Sequence, residues 1–169
     1  MSVADPFAVE SRENPGIAAV MARRGVDHAV IGAALGASLP DGPACVRVGD
    51  VTCVGTGPGN WLVVQSEAAP DFAENLAARL KGLASVSDQS SGYHILRLTG
   101  AGARTILQRG AAIDFHPDRF QSGSAATTVI AHIGVIIWQV DDQPSYDVAT
   151  FRSYAGSFHH WLDLTAKTL

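Results

Sequence analysis

No stretch of this chain approaches the ~20 consecutive apolar residues of a membrane-spanning helix, and residues 1–16 carry Asp5, Glu10, Arg12 and Glu13 where a secretory leader would be apolar. The expected location is therefore cytoplasmic. Lys and Arg are few and dispersed, and the net charge is −4, which excludes the clustered basic face that nucleic acid demands. Two cysteines are too few for a disulfide framework or for a metal site of their own. Charged residues of both signs reach only 17%, against roughly 25% in an average globular chain. A surface so poorly charged is either covered by a partner or the mark of an alanine-rich source.

The usual signatures of chemistry are also missing. There is no G-x-S-x-G, and neither cysteine stands at the start of a helix, so a nucleophilic triad is not expected. The glycine-rich string GTGPGN at 55–60 precedes a strand pattern instead of a helix and lacks the Lys-Ser/Thr of a phosphate loop; it reads as a tight turn. Asp114, His116 and Asp118 in DFHPDRF lack a further ligand and read as loop-capping groups. His159 and His160 are neighbours on a helical pattern and diverge by ~100°, so one packs and the other faces solvent. Asp141-Asp142 reads as a solvated hairpin turn.

What the chain does contain is a repeat. A constant offset of 134 minus 49, or 85, residues lays Gly49 on Gly134, Trp61 on Tyr146 and Leu76 on Trp161. In the first copy ACVRV turns at Gly49-Asp50 into VTCV, breaks at GTGPGN, continues as WLVV and enters the amphipathic APDFAENLAARLKG. In the second, TTVIAHI turns at Gly134 into VIIWQV, breaks at DDQPS, continues as YDVATF and enters SYAGSFHHWLDLTAK. Period-two runs followed by a period of 3.6 predict strand, strand, strand, helix, twice. A three-residue loop centred on Gly49 would set Cys45 opposite Cys53, close enough for a bridge, although free buried thiols are the commoner state in a reducing compartment.

Residues 1–14 are polar and expected to be mobile. ENPGIAAVMARRG offers Asn14 as a cap, Pro15 at a first helical position and Gly25 as a stop, predicting a short helix. HAVIGAALGASLP reads as a short strand or helix ending at Pro40; SVSDQSSGYHILRLTG as strand material; GAGARTILQRG as a helix capped by Gly110; and AAIDFHPDRFQSG as a loop. The expected total is six to eight strands and four helices. This is an α+β fold, a single domain over 15–169 made of two pseudo-repeats at about 26–83 and 84–169.

The strings GTGPGNWLVV, VSDQSSGYHILRLTGAGARTILQRG, IDFHPDRFQSG and VIIWQVDD with SYDVATFRSYAGSFHHWL, in that order, resemble the gamma subunit of heterotetrameric sarcosine oxidase over roughly residues 25–165. The resemblance implies a fold similar to the folate-binding domain of the glycine cleavage T-protein, itself internally doubled. It also implies a complex whose alpha, beta and delta subunits carry FAD, FMN, NAD, tetrahydrofolate and zinc, and which oxidises sarcosine to glycine while passing the one-carbon unit to folate. This chain departs from the folate enzymes at two points. Where the resemblance puts the catalytic carboxylate, just before Val135–Val140, stand His132, Ile133 and Gly134. Where an asparagine follows the next strand, stand Thr150, Phe151 and Arg152.

The resulting expectation is an accessory subunit with no catalytic, cofactor-binding or metal-ligating residues of its own. The alternative, a stand-alone folate-dependent aminomethyltransferase, would need a full cleft where this length supplies about two of three lobes. Tyr154, Phe158, Trp161 and Leu162 form a stripe at i, i+4, i+7, i+8, read first as core and second as partner contact. The loop Asp114–Phe120 and the segment Arg152–Trp161 are the expected docking surface. Phe115, His116, Arg119, Phe120, Arg152 and Tyr154 form it, and Phe158 and Trp161 are shared between core and contact.

Overall fold

The structure, a computed structural model, describes residues 7–169. Two five-stranded antiparallel sheets are present, each in its own compact unit: Glu13–Gly92, and Tyr93–Leu169 together with the residues up to Arg12. The mobile segment expected over 1–14 lies partly outside the described residues; within it Ala8–Ser11 is strand β1, paired along its length to Leu96–Thr99.

In the unit Glu13–Gly92 the chain runs β2 (Gly16–Ala22), α1 (His28–Leu35), β3 (Cys45–Val48), β4 (Val51–Gly57), β5 (Asn60–Gln65), α2 (Phe72–Arg79) and β6 (Ala84–Asp88). The sheet order is β3-β4-β5-β2-β6. The helix expected over ENPGIAAVMARRG is instead the strand β2, hydrogen-bonded to β5 on one side and β6 on the other. The cap and Pro signals around Asn14 were local. An isolated seven-residue helix is marginal in water, and a strand paired on both edges satisfies every backbone group while burying Ile17, Ala18 and Val20. Segment 28–35 takes the helical alternative, because Asp27 accepts a 2.7 Å bond from the Ala29 N–H and Gly36 ends the helix in the left-handed region.

The other unit adds to β1 the elements β7 (Tyr93–Thr99), α3 (Ala101–Gly110), β8 (Ala125–Ile130), β9 (Ile133–Asp141), β10 (Ser145–Phe151), a single 3-10 turn (Arg152–Tyr154) and α4 (Ala155–Ala166). Its sheet order is β1-β7-β10-β9-β8. Gly102, Ala103, Ile106 and Leu107 of α3 and Phe158 and Leu162 of α4 recur at helical spacing and close the core over Leu96, Leu98, Val135, Ile137 and Val148. The described residues hold ten strands and four α-helices, an α+β fold with more strands than expected because β1 and β2 are made strands by their pairing partners.

The repeat is real in topology and shifted in register. β3-β4-β5 and β8-β9-β10 have the same order and the same antiparallel pairing. The first hairpin turns at Gly49-Asp50 between paired Val48 and Val51, with Gly49 at φ +63°. The second does not turn at Gly134, which lies inside β9; it turns at Ala131-His132, between paired Ile130 and Ile133. The offset here is 130 minus 48, or 82. It rises to 85 (145 minus 60) at the starts of β5 and β10, because β9 and its following loop are longer, and returns to 82 (158 minus 76) at the buried helical positions. β9 is buried continuously from Val135 to Gln139, so its own pattern does not distinguish an odd shift, and its pairing partners choose the register.

The two-residue turn also settles the cysteines. Cys45 pairs with Val54 and Cys53 with Val46, so the two thiols project from opposite faces of the hairpin and no disulfide joins them. A three-residue loop would have put them opposite; the shorter turn slips the register by one residue, and each one-residue slip reverses a face. GTGPGN is the expected tight turn, with Pro58 and Gly59 at its corner and Gly59 at φ +66°.

Candidate functional site

Gln108 of α3 organises the loop after that helix. Its amide N–H donates to the Ile113 carbonyl at 2.9 Å and its carbonyl accepts from the Phe115 N–H at 2.9 Å. Asp114 accepts from the His116 N–H at 2.8 Å and the His116 ring accepts from the Asp118 N–H at 3.3 Å, so Asp114, His116 and Asp118 serve loop closure. Phe115 and Phe120 then point inward onto Tyr146 of β10, with ring centroids 5.0 Å apart from each other and 5.9 and 6.2 Å from the tyrosine. The Arg104 Nε donates to the Tyr146 hydroxyl at 2.9 Å, supplying the partner that a buried phenol needs.

Phe115, Phe120 and Phe158, expected at a docking surface, are core residues: Phe115 and Phe158 have no exposed surface at all. Fixing a loop on a sheet requires apolar anchors, and these aromatics supply them at about 2–3 kcal/mol each. His116, Arg119, Arg152 and Tyr154 are exposed and Trp161 is half-buried, its ring 5.8 Å from that of Phe158. The two expected segments do not meet in one patch. The loop aromatics sit on Tyr146 at one end of β10 and Arg152 follows Phe151 at the other, five residues or roughly 16 Å of strand away.

Around Arg152 a second cluster assembles that the sequence did not single out. Phe151 stacks on Tyr93 with centroids 4.8 Å apart, and Arg152 donates to the Tyr93 carbonyl at 3.1 Å. The His94 ring lies 6.0 Å from that of His159 and 3.3 Å from the Ser11 hydroxyl. Partial burial first, then the positive charge of Arg152 and the neighbouring His159, hold the His94 pKa below its ordinary value. His160, by contrast, faces solvent, as adjacent helical positions diverge. The pairing of β7 with β10 brings Tyr93 beside Phe151, a relationship invisible at fifty-eight residues' separation.

Among the described residues no three His, Cys, Asp or Glu side chains converge. At the tip of the β8–β9 hairpin stand Ala131 and His132, and β10 runs into Phe151 and Arg152. No helix among the described residues is long and apolar enough to cross a membrane.

The duplicated sheet-and-helix unit defines a fold class. A glycine cleavage aminomethyltransferase T of Bartonella henselae superposes with a TM-score of 0.66 at 14% identity, over 92% of this chain and 45% of that one, a likeness of fold alone. The sequence matches the sarcosine oxidase, gamma subunit family over residues 21–167. The chain belongs to that family. It is 30% identical over 136 residues to the sarcosine oxidase subunit gamma of Corynebacterium sp. (strain P-1), covering 79% of this chain and 66% of that one. Over 142 residues it is 31% identical to the subunit gamma of Arthrobacter sp, covering 80% and 67%. The chain thus spans about two thirds of the length of these relatives. A chain of the heterotetrameric sarcosine oxidase from Corynebacterium sp. U-96, in complex with pyrrole 2-carboxylate, matches with a TM-score of 0.85 at 26% identity, over 96% of this chain and 84% of that one.

Proposed function

We propose that this chain is an accessory subunit of a cytoplasmic sarcosine oxidase complex and contributes no catalytic group. The observation that carries the reading is the agreement of family, over residues 21–167, with fold, at a TM-score of 0.85 to a chain of a heterotetrameric sarcosine oxidase. In this reading the partners are the alpha, beta and delta subunits, with the alpha subunit the one it docks against. FAD, FMN, NAD, tetrahydrofolate and zinc belong to those chains, and together they convert sarcosine to glycine and pass the one-carbon unit to folate. The role of this chain is to bind and orient. Its exposed His116 and Arg119 at one end of β10, and Phe151, Arg152 and Tyr154 at the other, provide two aromatic and cationic contact areas of the kind enriched at interface centres.

An affinity-tagged copy expressed in the native source, followed by size-exclusion chromatography with flavin absorbance and a sarcosine oxidation assay, tests it. The expected result is co-elution in fixed stoichiometry with a flavoprotein that oxidises sarcosine. Elution of the tagged chain alone, from cells whose sarcosine-oxidising flavoprotein elutes separately and fully active, overturns the proposal.

A further inference from the structure

Each unit's sheet ends on two edge strands, β3 and β6 in Glu13–Gly92, β1 and β8 in the other. An edge presents unpaired N–H and C=O groups to any extended chain, and folded proteins guard it with shortness, charge, proline or a bulge. Three of the four edges are guarded. β1, β3 and β6 have four, four and five residues and carry Glu10, Arg47 and Asp88. β8 is the exception: its six residues, AATTVI, hold no charge and no proline, and its register with β9 runs from Ala125 to Ile130 without a bulge.

The turn decides which groups of β8 are open. Ile130 and Ile133 flank the two-residue turn at Ala131-His132, and residues so placed bond to each other through both backbone groups. Alternation then turns the backbone groups of Ala126 and Thr128 inward to β9, and those of Thr127 and Val129 outward. Among the described residues no backbone hydrogen bond reaches the outward N–H of either. A bridge from Ala111 closes the edge only beside Ile130. Thr127 is exposed and Val129 is 54% exposed. Gly134, the partner of Val129 on β9, has nothing within 4 Å of where a Cβ would stand, so the face over this pair is open as well.

We propose that in the assembly β8 pairs with an extended segment of another polypeptide, uncharged where it faces Thr127 and bearing a large apolar side chain where it faces Val129, which becomes the sixth strand of this sheet. The inference rests on the accessory-subunit reading and adds to it the place and manner of contact. Outward N–H groups roughly 6.8 Å apart, two residues along a strand, match the main chain of an extended segment. An apolar side chain opposite Val129 covers that residue and the bare Gly134 beside it. The loop carrying His116 and Arg119 leaves the sheet at Ala111, beside Ile130, and rejoins it at Ala125, so the edge is continuous with that proposed contact area. A second copy fits poorly: two β8 strands laid antiparallel about Thr127 would set Ser124 of one against Ile130 of the other, where Ala111 already stands.

Hydrogen exchange read at single residues tests it, in the isolated chain and in its complex with the flavoprotein partner, the latter purified from the native source without this chain. The Thr127 and Val129 amides are expected to exchange freely in the isolated chain and about a hundredfold more slowly in the complex, while Thr128 and Ile130, bonded to β9, stay slow in both. Thr127→Pro removes only an outward N–H, and Val129→Lys places a charge on the open edge. Each is expected to weaken association about tenfold with the melting temperature unchanged, and Thr127→Val, which keeps the N–H, to bind as the unaltered chain does. Should Thr127→Pro fail to fold, Val129→Lys carries the decision. Thr127 and Val129 amides that stay fast in a complex that forms, with Val129→Lys binding equally well, remove the edge inference and leave the accessory reading standing. Failure of the unaltered chain to bind at all overturns both. Slowing of the same amides in the isolated chain as its concentration rises, with the mass of a dimer, makes the occupant a second copy and overturns the heterologous strand.

Discussion

The Arg97 guanidinium and the Asp147 carboxylate face each other as direct cross-strand partners on β7 and β10, joined by two parallel hydrogen bonds of 2.7 Å from Nε and Nη2. The carboxylate is buried and the guanidinium largely so. The hydrogen bond to Asp147, offset in part by burial, raises the Arg97 pKa above its ordinary value and keeps the group charged throughout. Removing one member strands the other's charge. Asp147→Ala is expected to cost about 3 kcal/mol in urea unfolding, while the double replacement Arg97→Met with Asp147→Leu costs far less. Equal losses for the single and double variants would show that the pair carries no special penalty.

The β8–β9 turn holds two non-glycine residues in the left-handed region, Ala131 at φ 48° and His132 at φ 67°. Positive φ at both central positions is the geometry that Asn-Gly satisfies without strain. Ala131→Asn with His132→Gly is expected to stabilise the fold by about 1 kcal/mol, read as a rise in the urea midpoint at constant slope. A fall in the midpoint would mean that the side chains at this tip make contacts worth more than the strain.

Core and contact aromatics separate by measurement. Phe115→Ala empties a fully buried site and is expected to lower stability by about 3 kcal/mol, close to 10 °C in melting temperature. Arg119→Glu combined with Arg152→Glu alters exposed positions; it is expected to leave melting almost unchanged and to reduce pull-down of the proposed alpha partner about tenfold. Unchanged binding with unchanged melting removes both arginines from the docking surface.

The Cys53 thiol lies under the helix layer, and burial, with a smaller contribution from Cys45, pushes its pKa from 9.0 up to about 11. The native state therefore holds this proton more tightly than the unfolded chain does. The associated stability is complete below pH 9 and declines as pH rises through 11, and Cys53→Ser should flatten that decline. At pH 8, iodoacetamide followed by peptide mass spectrometry should label Cys45 well ahead of Cys53. Comparable rates would place Cys53 in solvent.

The pattern of alternation and the turn residues reveal β3, β4, β5 and β10 with their following helices in the sequence, because strand pleat and helix pitch are local periodicities. The family strings likewise led to the correct family, since they are contiguous runs. β2 was hidden: alanine and an Asn-Pro start argue for a helix, and only the two flanking strands make the extended form the better one. The repeat's register was hidden because β9 is buried continuously from Val135 to Gln139, so it fits at an offset of 82 or 85 where a strictly alternating strand would not. Whether an aromatic is anchor or contact depends on what lies above it. Phe115 and Arg119, four residues apart in one loop, end in core and solvent because Gln108 pins the loop and Tyr146 receives the ring. The sequence by itself determined which segments alternate, which turn and which family they belong to. Long-range pairing and packing decided which side chains face water, since burial is a property of neighbours distant along the chain.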